Sequence, residues 1–147
     1  METTSPKTRG NAIMRRTSRP RKPRGVAAAE LAVCLPIVVL MVLGTIEACS
    51  ALFLKQSLTA AAYEGVRTAI TPTATSSAVQ ASCNQILADR KIKNATVTIK
   101  PTAFANLKPG EFVAITVSAP CASNSLVPVT FYRGRTLTAT ATMMIEN

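Results

Sequence analysis

Residues 25–47 read GVAAAELAVCLPIVVLMVLGTIE, and this stretch decides how the rest of the chain is arranged. Between Gly25 and Glu47 the only charge is Glu30; every other side chain is apolar or small. As a helix rising about 1.5 Å per residue, the run from Val26 to Ile46 is about long enough to cross a bilayer. The chain before it is basic: residues 1–25 hold eight lysines and arginines against one acid, Glu2, so much of the net charge of +10 sits there. A free basic tail can bind nucleic acid, but directly before an apolar span it reads as a cytoplasmic flank that obeys the positive-inside rule. The expected organisation is a disordered basic leader over residues 1–25, a transmembrane helix over 26–46, and an extracytoplasmic α+β domain over 47–147.

Other readings of the span fit less well. A cleavable secretory signal has a shorter apolar core and a small-x-small site after it, which this sequence lacks. A twin-arginine signal at Arg15-Arg16 lacks the apolar residues that should follow, and a lipoprotein cysteine at Cys49 is preceded by Glu47 where a small or apolar residue belongs. Pro36 lies inside the run, removes the hydrogen bond to the Ala32 carbonyl and should bend the helix locally.

The spacing G-x-x-x-x-E, after a positive leader and opening an apolar helix, resembles the type IV prepilin cleavage site. That resemblance implies a cut by a prepilin peptidase after Gly25, Val26 as the new N-terminus and Glu30 as an assembly carboxylate. A new α-amino group on one subunit can neutralise a neighbour's Glu30 inside lipid, where an unpaired charge is costly. More widely, residues 24–70 resemble the start of TadE-like proteins, the pseudopilin-type components of tight-adherence (Flp) pilus systems. The matching pieces are Ala28-Ala29-Glu30-Leu31, Leu35-Pro36, Gly44, Ile46-Glu47 and Glu64-Gly65-Val66-Arg67, with Leu31 where that group usually has an aromatic residue. The resemblance implies an inner-membrane, single-pass, structural or assembly component of a pilus or related secretion system. Its partners would be other pilin-like subunits and inner-membrane assembly proteins. The alternative is an uncleaved, single-span anchored binding module.

Beyond the span no breaker occurs before Ile70, so the helix is expected to continue outward. Leu54, Leu58, Ala62 and Val66 recur every four residues and form an apolar stripe for the chain's own domain, or alternatively for a partner helix. Thr71-Pro72 ends it. Ser76 or Ser77 can cap a second helix to about Arg90, with Val79, Cys83, Ile86 and Leu87 inward. Period-two alternation then marks strands around Val97, Val113–Ala119 and Leu137–Ile145, with a turn at Lys108-Pro109-Gly110. The expected fold is α+β, the helices covering a small antiparallel sheet of about three strands. The segment Pro120–Gly134 reads as a short edge strand or an exposed, partly apolar loop, the strand slightly favoured.

Histidine is absent, and the seven acids form no pair or triad at catalytic spacing, so no catalytic residue, cofactor or small-molecule substrate is expected. The four cysteines have no metal-site spacing. Cys34 and Cys49 read as small apolar filler. Cys83 and Cys121 both belong to inward-facing series in a compartment expected to be oxidising, and a Cys83–Cys121 disulfide is expected.

Overall fold

The computed structural model describes residues 24–102, 108–126 and 131–145. Residues 1–23 of the expected leader, and Val127 and Val129 of the expected edge strand, lie outside the described residues. The chain divides into two compact units, Met1–Leu35 and Pro36–Asn147. The elements run α1 (Arg24–Ala69), α2 (Ser76–Asp89), β1 (Thr96–Lys100), β2 (Phe112–Pro120) and β3 (Thr136–Met144). The fold is α+β, as expected.

In the first unit the described residues are helical, and Val26, Leu31, Val33 and Leu35 are all exposed. In the second unit the apolar run continues, with Ile37 through Leu43 exposed to the surroundings. From Glu47 onward the helix becomes one-sided. Glu47, Leu54, Leu58, Ala61, Ala62, Val66 and Ala69 are buried, while Leu52, Phe53 and Tyr63 are exposed. The stripe spacing of three and four residues keeps these positions on one face, and the apolar ones share one core with buried residues of α2 and of the sheet. Glu64 and Arg67 approach to 3.9 Å on the outer face, an exposed pair worth little to stability.

Helix α1 ends as the sequence suggests: Ile70 still donates to the Val66 carbonyl, but Thr71 turns to Thr68. The cap of α2 falls one residue earlier than expected. Thr75, extended at φ −118° and ψ 152°, accepts from the Ala78 amide at 3.2 Å, so its hydroxyl satisfies a first-turn donor that Ser76 and Ser77, already helical, cannot reach. The other end of α2 is a Schellman turn. Ile92 donates to the Leu87 carbonyl, Lys91 donates to Ala88, and Lys91 takes a left-handed φ of 56°. Glycine or asparagine is the usual residue there.

The sheet is an antiparallel meander in the order β1-β2-β3. Its register places like faces opposite one another: Ile99, Ile115 and Ala141 lie across the sheet, as do Val97, Val117 and Ala139. Val113, Ile115, Val117 and Ala119 are buried, and the alternate face carries threonines, with the Thr116 and Thr140 hydroxyls 3.0 Å apart. The turn into β2 forms at Lys108–Glu111: the Glu111 amide donates to the Lys108 carbonyl, and Gly110 supplies φ 93°, a position of a type II turn that favours glycine. Lys55 of α1 donates from Nζ to the Thr138 carbonyl on β3. Beyond Pro120 the described residues form turns rather than a strand, with Leu126 and Phe131 exposed and Tyr132 half-buried.

The expected disulfide is absent: all four cysteines are free, Cys83 and Cys121 among them. Both are buried as expected, but at different levels of the sheet. The Cys83 thiol donates to the Ala61 carbonyl at 3.4 Å and sits in the layer of Gly65 and Ile115. Cys121 lies six residues beyond Ile115, roughly 20 Å along an extended chain, where a disulfide wants Cα atoms about 5–6 Å apart. Facing one core was sufficient for burial and insufficient for bonding. Burial pushes the Cys83 thiol above its ordinary value, with the nearby Glu64 charge adding to the shift. Burial also raises Cys121, against the opposing pull of Arg135.

Two predictions follow from this packing. A Cβ on Gly65 would lie 2.3 Å from Cys83 Sγ and 3.1 Å from Ile115 Cδ1. Gly65→Ala should therefore destabilise the domain by roughly 1–3 kcal/mol in denaturant titrations, and adding Cys83→Ala should recover part of the loss. The folded chain holds the Cys83 proton more tightly than the unfolded chain does. Its contribution is thus complete below the ordinary thiol value of 9.0 and is lost as pH rises through the higher folded value. Stability measured across alkaline pH should fall, and Cys83→Ala should flatten that fall.

Candidate functional site: the two carboxylates of α1

The sequence singles out Glu30, which is exposed, whereas the carboxylate the structure buries is Glu47. Gly25, Val26 and Glu30 all lie on α1 and are exposed. A Cβ at Gly25 would meet nothing within 4 Å, so nothing in the described chain covers that peptide bond. Pro36 is inside α1, whose helical assignment passes through it, and the division between the two compact units falls directly before it. Cys34 and Cys49 are exposed on the same helix.

Glu47 differs from Glu30 in every physical respect. It is 3% exposed, the first residue of the buried stripe. Its Oε1 accepts from the Phe131 amide at 2.9 Å and from the Tyr132 amide at 2.8 Å. Two backbone donors of a connecting segment are thereby satisfied by a side chain instead of a strand partner. A buried carboxylate is tolerated when hydrogen bonds replace its water, and here those bonds hold the chain before β3 against α1. Phe131 is held so close that its Cε2 lies 3.8 Å from where a Cβ of Gly44 would be. The sequence signal was present but ambiguous: Glu47 stands seven residues before Leu54 and eleven before Leu58, on the same helical face, yet an acid at the end of an apolar run reads first as an interfacial group.

A second clamp lies beside it. The Asn124 side chain accepts from the Lys93 amide at 2.7 Å and donates to the Lys93 carbonyl at 3.0 Å and the Pro120 carbonyl at 2.9 Å. Asn94 donates to the Ser123 hydroxyl at 3.0 Å. These bonds pin the chain after β2 to the chain after α2. Ser125, whose buried hydroxyl has no partner among the described residues, lines a cavity of about 10 Å³ with Glu47, Asn124 and Tyr132, room for roughly one water molecule. Among the described residues no group of three or more histidine, cysteine or acidic side chains is placed to hold a metal.

Glu47→Ala leaves the Phe131 and Tyr132 amides without this acceptor and should cost roughly 2 kcal/mol. Hydrogen exchange should speed up at those two amides and stay unchanged in β2; Glu47→Gln, which keeps an acceptor oxygen, should show a smaller effect.

Comparison with known proteins agrees with the local reading. A family model described as TadE-like protein matches residues 25–67, nearly the whole of α1. No curated protein and no solved structure gives a match to the chain. Among the described residues, α1 is also the one helix long and apolar enough to cross a membrane. The similarity to TadE-like proteins thus covers the helix that carries both the Gly25–Glu30 motif and the buried Glu47.

Proposed function

We propose that this chain is a single-span, pilin-type membrane protein that serves as a structural or assembly component of a tight-adherence pilus or a related secretion system. The observation that carries this reading is the TadE-like match over residues 25–67, which begins at the glycine of the Gly25–Glu30 motif. In this reading residues 1–25 are a cytoplasmic leader, 26–46 cross the inner membrane, and 47–147 lie on the extracytoplasmic side.

The chain's own contribution is physical. The exposed Gly25–Val26 bond offers a prepilin peptidase its cut, and the exposed Glu30 offers a carboxylate to the new α-amino group of a neighbouring subunit. That pairing removes two charges from lipid at once, which gives assembly a direction and a register. Pro36 bends the span locally between neighbours. Partners are the peptidase, other pilin-like subunits and inner-membrane assembly proteins, and the bond-breaking chemistry belongs to the peptidase.

The test is the intact mass and N-terminal peptide of the protein from native membranes that contain an active prepilin peptidase. A start at Val26 is the expected result; a chain still carrying Arg15 to Arg24 would refute processing. Glu30→Ala should leave insertion intact and abolish co-purification with pilin-like partners.

A further inference from the structure

Beside the first turns that follow the apolar run, the domain has an open groove of about 620 Å³. One wall is α1, which contributes Ile46 and Phe53. The second is the Schellman turn of α2, which contributes Arg90, Lys91 and Lys93, and the third is the chain after β2, which contributes Asn124 and Leu126. The three bases are exposed, and among the described residues no acid lines the groove. The apolar side chains are equally open: Phe53 is exposed, and Leu126 is 88% exposed. Phe131, 73% exposed, stands at the level of Gly44, inside the last apolar turn.

We infer that this groove holds an anionic phospholipid of the membrane that α1 crosses. The phosphate would lie against Arg90, Lys91 and Lys93, and the upper acyl chain against Ile46, Phe53 and Leu126. The inference rests on the reading of α1 as a membrane span. Charge selects the occupant, because the charged side chains that line the groove among the described residues are all cations, which favour an anionic headgroup over a zwitterionic one. Position selects the source, because the groove is built on the helix segment continuous with the exposed apolar residues Ile37–Leu43. The walls are set before any lipid arrives, since Asn124 and Asn94 bond the basic segment to the segment bearing Leu126. Lys91 also occupies a left-handed position where glycine would be less strained, so its side chain is kept at a cost to the turn.

The full chain is placed in vesicles of phosphatidylcholine alone or mixed with phosphatidylglycerol, released in detergent, and its retained lipid counted by native mass spectrometry. Wild type should retain phosphatidylglycerol in preference to phosphatidylcholine. Arg90→Gln/Lys91→Gln/Lys93→Gln should reduce that retention at least about tenfold, since each surface cation changes partitioning roughly fivefold. Lys91→Gly should lower retention while raising the melting temperature, a pair of effects that a purely structural lysine would not give. Unchanged retention in the triple variant overturns the site. So does displacement of the lipid by inorganic phosphate, which would make the groove a free-anion site. Alkaline carbonate extraction of the same vesicles separates the two readings: protein that stays in the membrane while retention is unchanged defeats the lipid site alone, and protein that washes out defeats the membrane span and the lipid site together.

Discussion

The one-sided burial of α1 is the constraint that everything after it obeys. A single helix is apolar all round in its first half and apolar on one face in its second. The change comes within a turn or two of Glu47. Leu54, Leu58 and Val66 are completely covered, each burial worth about 1.5–3 kcal/mol, and the small residues Ala61, Ala62 and Gly65 between them let other elements come close. At Gly65 the approach is closest: the Cys83 thiol of α2 and the Ile115 side chain of β2 both occupy space that a methyl group would need. Three elements therefore meet at a glycine, and the meander has little freedom to slide along the helix.

Glu47 extends that docking to chain that has no strand of its own there. The connection between β2 and β3 cannot pair its Phe131 and Tyr132 amides within a ladder, and the carboxylate takes both. Asn124 does the same work with an amide group toward Lys93. The end of the domain next to the apolar run is thus held by side chains, while the far end is held by the sheet.

Periodic features were legible in the sequence. The four-residue spacing from Leu54 to Val66 marked the buried face of α1, and the strict alternation of threonines at 136, 138, 140 and 142 with Leu137, Ala139, Ala141 and Met143 marked β3. The turn at Pro109-Gly110 was equally clear, because proline fixes φ at the second position of a turn and glycine accepts the positive φ of the third. What the sequence left obscure were contacts between segments far apart in the chain. Period two aligned Cys121 with Val113–Ala119 and therefore predicted burial correctly, but it said nothing about how far along the sheet Cys83 would lie. Glu47 was visible as a charge and not as a clamp, because its partners are backbone amides, which carry no signature in side-chain type. The cap at Thr75 was missed by one residue among three consecutive candidates of similar chemistry.

The hydrogen bond from Lys55 to the Thr138 carbonyl has a further consequence. Among the described strands β3 is paired only with β2, so its other side is an open edge of nine residues. Chains anchored through α1 would present this edge at one height above a shared surface, where copies meet often and in similar orientations. Edge-to-edge zippering is the hazard of such crowding. An ammonium group seated on a carbonyl of that edge would have to be displaced before a second strand could add in register. In that arrangement Lys55 would stand against pairing between the β3 edges of neighbouring copies.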